Sequence, residues 1–305
     1  MSDATTPLIA VFGATGRQGG GVVRALRAHG GFRVRAITRD ASKAQGLVDE
    51  ELADEVVSAD LTKPDTLAAA VDGVHGVFLV TNFWGASDVD ELAQGTAAVE
   101  AAKRAGVEHF VWSTLPNVER IAGGRFDVAH FTGKAKVDEA VASAGFAHHT
   151  FVEAPFYFQN LAGQLAPQPG KDGKPTWNLP MSPDAKVIHM GDIDQLGTLV
   201  AGAFAHPDRV GNGEHLSLSA GLHSWADVVR TLEAQGHDVA FNRVPDEVFD
   251  DFFPGARELR EMFNYFEAHT YFGPDAEEKI ALARAVATEA PTALADWTKK
   301  NMPVK

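Results

Sequence analysis

The chain has 305 residues, 45% of them hydrophobic and 22% charged, with a formal net charge of −14 and no cysteine. That is enough apolar material for one large or two intimate domains, and the missing cysteines exclude disulfides, thiolate nucleophiles and Cys-ligated zinc. Scattered negative charge argues against direct nucleic-acid binding, and no apolar run is long enough to span a membrane, so neither partner is expected.

Met1–Pro7 is short and polar with no basic start, so it is not read as a signal peptide, and a cytoplasmic location is expected. From Leu8 onward, short β-rich runs alternate with amphipathic segments. Strands are expected over Leu8–Phe12, Phe32–Thr38, Glu55–Ala59, Gly76–Thr81, His109–Thr114 and His148–Val152. Helices are expected over Gln18–Ala28, Ser42–Glu51, Pro64–Val71, Asp88–Ala105 and Val128–Ala144, and Gly73, Gly106 and Gly145 stand where three of them end. This alternation reads as right-handed βαβ crossovers, hence an α/β protein with a six-stranded, doubly wound parallel Rossmann sheet over residues 1–154. After Pro155 the rhythm breaks. Gln164–Pro183 reads as loop, followed by a strand (Lys186–Met190), a helix (Ile193–His206), a strand (Glu214–Ser219) and a helix (Trp225–Gln235). Residues 155–305 are therefore expected to form a smaller C-terminal α/β domain for substrate or partner, free to exchange segments with the first. The aromatic stretch Pro245–Phe272 reads either as its core or as a pocket or partner groove.

The first chemical motif is Gly13-Ala14-Thr15-Gly16-Arg17-Gln18-Gly19, which follows a strand and opens a helix. In that context the glycines permit a tight turn, close approach of backbone to a pyrophosphate, and close packing of helix on strand. Free amides and the positive end of the helix dipole then hold the phosphates. An NAD protein places Asp or Glu at the end of the second strand; this chain has Thr38 there, followed by Arg39 and Lys43. A guanidinium grips a 2′-phosphate that a carboxylate would repel, so the cofactor expected is NADP(H). Asp40, beside Arg39, is read as the cap of the following helix. Asp60 ends the third strand and either accepts from an adenine amino group or serves the turn before Pro64. Thr81 and Asn82 end the fourth strand and Ser113 and Thr114 the fifth, on the carboxyl edge where open α/β sheets bind ligands.

His130 and Lys134 share one face of the next helix, at i and i+4. They are the candidate catalytic residues; the plainer alternative for His130 is packing on the loop 115–127. Ser113 has a histidine within the chain but no evident carboxylate to orient it and no nucleophile elbow, so a serine hydrolase is not expected. His148 and His149 lack partners at metal spacing, and no metal is expected.

Taken together, the glycine turn, Val80-Thr81-Asn82-Phe83-Trp84, His130-Phe131-Thr132-Gly133-Lys134 and Pro155-Phe156-Tyr157-Phe158-Gln159-Asn160 resemble the NmrA-like family of atypical short-chain dehydrogenases. The resemblance runs from Leu8 to Pro291–Trp297 and implies a Rossmann domain plus a small α/β domain with the cleft between them. It places Arg39, Lys43, Thr81, Asn82, Lys134, Tyr157, Phe158 and Asn160 on dinucleotide-binding positions. Gly85 stands where related chains often carry an acidic residue.

Short-chain dehydrogenases carry Tyr-x-x-x-Lys where this chain has His130 and Lys134. The missing tyrosine favours a regulatory protein that senses the dinucleotide's redox state, as the resemblance also implies. The alternative is an NADPH-dependent reductase of a quinone or conjugated carbonyl compound, because a quinone needs little acid catalysis and histidine, with a pKa near ~6.5, gives up a proton readily. A nucleotide-sugar epimerase is excluded by the absent tyrosine and the NADP preference. The partner is thus NADP(H) with a small molecule or a regulatory protein; oligomeric state is open, a homodimer among the options.

Overall fold

The computed structural model describes residues 6–85, 90–170 and 173–304. Asp88, the expected start of one helix, lies outside the described residues, as do most of Met1–Pro7 and two positions of the expected loop.

The central sheet has seven strands: β1 Leu8–Phe12, β2 Arg33–Thr38, β3 Glu55–Ser58, β4 Gly76–Leu79, β5 His109–Thr114, β6 His148–Glu153 and β7 Asn212–Ser217. Their order is β7-β6-β5-β4-β1-β2-β3, and every pairing is parallel. Ile9 lies opposite Val34 on β2 and Gly76 on β4. Six strands match expectation; the seventh corrects the count. The run expected in the C-terminal domain at Glu214–Ser219 instead extends the sheet beside β6, with Leu216 opposite Val152. There it pairs an edge whose N–H and C=O groups would otherwise be left open, and Leu216 joins the core that holds Val152.

Because β1 is apolar throughout, both faces of the sheet can be covered. Ile9 and Val11 enter one core, Ala10 and Phe12 the other. Four helices do most of the covering: α1 Arg17–His29, α2 Glu91–Arg104, α3 Ala129–Ser143 and α4 Leu196–Ala205. Val22 and Leu26 of α1 and Leu196 and Val200 of α4 close the first core; Ala98 of α2 and Val137 of α3 close the second. The order in which strands are added reverses between β1 and β4, so the carboxyl ends of these parallel strands flank the crevice in which such sheets bind ligands.

In the second half, Ile188–Gly191 pairs with Phe156–Tyr157 and with Gly221–His223. Pro175–Leu179 pairs in parallel with Ala240–Arg243, which corrects the loop expected over 164–183. Trp177 and Leu179 are buried, and burial obliges their backbone to find ordered partners. The aromatic stretch divides. On α5, Ala256–His269, Phe263, Tyr265 and Phe266 are buried with Phe249 and Phe272, whereas Phe252 and Phe253 are 46% and 42% exposed. A further helix, α6, spans Ala276–Val286. Among the described residues no helix is long and apolar enough to cross a membrane.

Candidate active site

The glycine turn has the geometry its spacing implies. Gly13 has φ +67°, in the left-handed region open to glycine. A Cβ at Gly19 would stand 2.2 Å from the Gly13 carbonyl oxygen, so helix and turn touch only because no side chain intervenes. The Gly16 amide closes the turn on the Gly13 oxygen at 2.8 Å, and no side chain caps α1. The first-turn amides of Arg17, Gln18 and Gly19 therefore lack intrahelical acceptors. Thr15, Gly16 and Arg17 are exposed. This cradle fits the pyrophosphate of a dinucleotide.

At the end of β2, Arg39 is exposed, with Asp60 across from it on the β3 side. Asp40 accepts from the Ser42 amide at 3.1 Å and its hydroxyl at 2.6 Å, which makes it a cap. Lys43 lies 3.8 Å from Asp40, both largely in solvent. Of the two readings of Asp60, the geometry supports the turn: Oδ1 accepts from the Thr62 amide at 3.0 Å and hydroxyl at 2.8 Å. Those bonds, with Lys63 and Arg39 nearby, hold its carboxyl below the usual range.

Beyond the carboxyl ends of β4 and β5 lies a cavity of about 510 Å³. Gln18, Thr81, Asn82, Ser113, His130, Lys134, Tyr157 and Asn160 supply its polar wall, and Phe83, Trp84, Phe131, Phe253, Leu259 and Met262 are among its apolar residues. Lys134 is buried, and its ammonium bonds the Thr81 carbonyl at 2.9 Å, the Thr81 hydroxyl at 2.8 Å and Glu91 Oε1 at 2.7 Å. Thr81 in turn donates to Glu91 at 2.6 Å. Burial pulls the Lys134 pKa down while the Glu91 carboxylate opposes it. Spacing along the chain does not single out Glu91. The available signal was a pair of glycines inside helices. A Cβ at Gly95 of α2 would meet Val137 at 2.6 Å, and one at Gly133 of α3 would sit 3.3 Å from Glu91 Oε2. These glycines bring the two helices together and set the carboxylate beside the lysine.

His130 is also oriented by a residue the sequence did not reveal. Glu258 Oε1 accepts from the His130 amide at 2.9 Å and from ring Nδ1 at 2.7 Å. Burial would raise the Glu258 carboxyl, but these bonds outweigh it and hold the pKa below the usual value. The ring packs against Phe83, Trp84 and Phe131. The expectation that no carboxylate orients this histidine is thus corrected: α5 supplies one from 128 positions away. No hydrolase follows, because Ser113 donates its proton to Gln18 Oε1 at 2.6 Å. Gln18 Nε2 donates to the Tyr157 hydroxyl at 2.8 Å.

Phe158 departs from its expected place on the cofactor. It is fully buried against Trp297 and His223, so its side chain belongs to the core, while Tyr157 and Asn160 on either side line the cavity. Asn82 is exposed at the rim, and a Cβ on Gly85 would press its amide at 2.9 Å. Among the described residues no group of His, Asp or Glu is placed to hold a metal.

The family model that describes the NmrA-like family matches residues 5–299. An NmrA-like family domain-containing oxidoreductase of Aspergillus hancockii is 30% identical, over 99% of this chain and 98% of its own length. Among solved structures, the negative transcriptional regulator Nmra superposes with a TM-score of 0.80 at 22% identity, covering 97% of this chain and 95% of that one. An NADPH-dependent quinone oxidoreductase of Escherichia coli, solved with NADPH, gives 0.77 at 17% identity, covering 96% and 99%. The chain belongs to the NmrA-like family.

Proposed function

We propose that this protein is an NADPH-dependent reductase of planar conjugated carbonyl compounds, quinones among them. The observation that carries the reading is the 2.7 Å bond between His130 and Glu258, on the wall of a cavity that Lys134 also lines. The dinucleotide, when bound, supplies the hydride. The amides of Arg17, Gln18 and Gly19 hold its pyrophosphate, and Arg39 with Lys43 its 2′-phosphate. Thr81, Asn82, Tyr157 and Asn160 complete its site. Glu258 occupies Nδ1 of His130 and leaves Nε2 to give a proton to the acceptor oxygen as negative charge develops there. The acceptor thus gains a hydride at carbon and a proton at oxygen. The Lys134 ammonium places positive charge beside the reacting groups, and the aromatic wall excludes water. Support also comes from the Aspergillus relative, named an oxidoreductase, and from the Escherichia coli quinone oxidoreductase, which binds NADPH. The reading carries with it a nucleotide-binding half over 1–154, completed by residues 196–205 and 212–217, a substrate half made by the rest of 155–305, and a cytoplasmic location.

The test is loss of NADPH absorbance against a panel of quinones and enones. His130→Ala is expected to lower kcat/KM by about 10²-fold, within the range for a lost general acid. Absence of turnover with every acceptor would overturn the reading. One observation favours the second reading, a redox sensor: all three protons of the Lys134 ammonium are already bonded to Thr81 and Glu91. A sensor must distinguish its two ligands, so NADPH and NADP⁺ would then alter protease sensitivity or association state differently.

A further inference from the structure

We infer that Tyr157 holds the carbonyl oxygen of the acceptor, through a phenolic O–H that a hydrogen-bond chain keeps free for the cavity. The chain starts at Ser113, only 1% exposed, whose hydroxyl donates to Gln18 Oε1 at 2.6 Å. That bond sets the amide. Gln18 turns its Nε2 to Tyr157 and donates to the phenol oxygen at 2.8 Å. A phenol that accepts in this way still has its own proton to place. Among the described residues no side chain or carbonyl takes it, and Tyr157 lines the cavity. Burial raises the phenol's pKa against the opposing bond from Gln18, so the proton stays on at neutral pH.

The backbone holds this donor still. Phe156–Tyr157 pairs with Met190–Gly191, Tyr157 opposite Gly191, and Phe156 is buried. The phenol missing from position 130 of α3 is thus supplied by a different element, which sequence spacing around Lys134 cannot reveal. The same geometry narrows the ligand. The cavity combines aromatic walls with O–H and N–H donors, and no carboxylate is among its lining residues. It suits a flat ring bearing neutral or anionic oxygen, and it has no carboxylate in its lining to pair with an ammonium. Gln18, read from the glycine turn as a cofactor contact, acquires a second duty as the piece that sets the direction of the chain.

The inference rests on the reductase reading for its acceptor, but binding tests it separately from turnover. Menadione is titrated calorimetrically into protein saturated with NADP⁺, which cannot reduce it. The bound quinone's carbonyl stretch is recorded by infrared difference spectroscopy. In the parent protein the band moves to lower frequency than in free menadione. Tyr157→Phe, compared at saturating NADP⁺, is expected to abolish that displacement and weaken menadione binding about tenfold. Gln18→Glu, whose carboxylate only accepts, draws the phenol's proton away and is expected to abolish the displacement too. An unchanged band and affinity in Tyr157→Phe would overturn the inference, as would failure of menadione to bind the parent protein. Menadione bound with the displaced band, in a protein that never oxidises NADPH, would leave Tyr157 its role and remove the reductase reading instead.

Discussion

The two ends of the crevice are built by opposite means. At the glycine turn the working groups are backbone amides, the side chains that matter are the absent ones, and the surface is open to water. In the cavity the working groups are ionisable side chains, buried and held by partners from other elements: Glu91 of α2 on Lys134 of α3, and Glu258 of α5 on His130. A backbone cradle is indifferent to most changes of charge and fails when a methyl group is added. A buried ion pair is indifferent to small changes of volume and fails when one partner is lost, because the other charge is left without water or counterion. The two regions should therefore break under different substitutions.

The largest effect is expected in the cavity. Glu91→Ala leaves the Lys134 ammonium buried and should cost about 3–5 kcal/mol in urea unfolding. Replacing both members, Glu91→Leu with Lys134→Met, should recover most of that loss while abolishing activity. A double variant no more stable than Glu91→Ala would mean that the pair is not the unit described. At the turn, Gly19→Ala adds only a methyl group, but that methyl meets the Gly13 carbonyl oxygen at 2.2 Å. It should cost about 2–3 kcal/mol and most dinucleotide affinity, whereas Arg17→Ala nearby should leave stability unchanged.

The same contrast explains what could be read without coordinates. The turn, the caps and the helices depend on neighbours a few residues apart, so Gly13 to Gly19, Asp40 as a cap and the expected helices were legible. The seventh strand was legible as a strand but not in its place, since only the open edge of β6 says where Asn212–Ser217 must go. Phe158 was placed on the cofactor by the resemblance of its motif, along with Tyr157 and Asn160; its own burial against Trp297 is a fact about a helix far along the chain. Glu258 is one of three acids on α5 until folding brings it to His130.

Intermediate effects test how the cavity wall is supported. Trp112, whose ring lies beneath the Lys134 ammonium, donates to Asp138 at 3.0 Å, and burial pushes that carboxyl up to about 7. A raised pKa means the folded protein holds the proton longer than the unfolded chain. Asp138 therefore contributes stability that is complete below about pH 4 and is lost as pH rises through about 7. Asp138→Asn should flatten that decline, read as the difference between the two proteins' unfolding curves across the window. Equal slopes would show that Asp138 titrates normally. Glu258→Gln keeps the shape but not the charge facing His130. It should lower kcat/KM about tenfold and stability by about 1 kcal/mol, with NADPH affinity untouched.

The smallest effects belong to the open end, where water competes for every charge. Arg39→Ala should weaken NADPH binding about tenfold and leave NADH binding unchanged, because only the 2′-phosphate is lost to it. Lys43 should matter less still, about twofold, since it is already 3.8 Å from Asp40 and both side chains are mostly in solvent. That ranking depends on salt. Exposed charges are screened over about 8 Å at physiological ionic strength, so raising salt should shrink the Arg39 effect while leaving the loss in Glu91→Ala nearly constant. If salt weakened both alike, the cavity pair would be as wet as the turn, and the distinction between the two ends would fail.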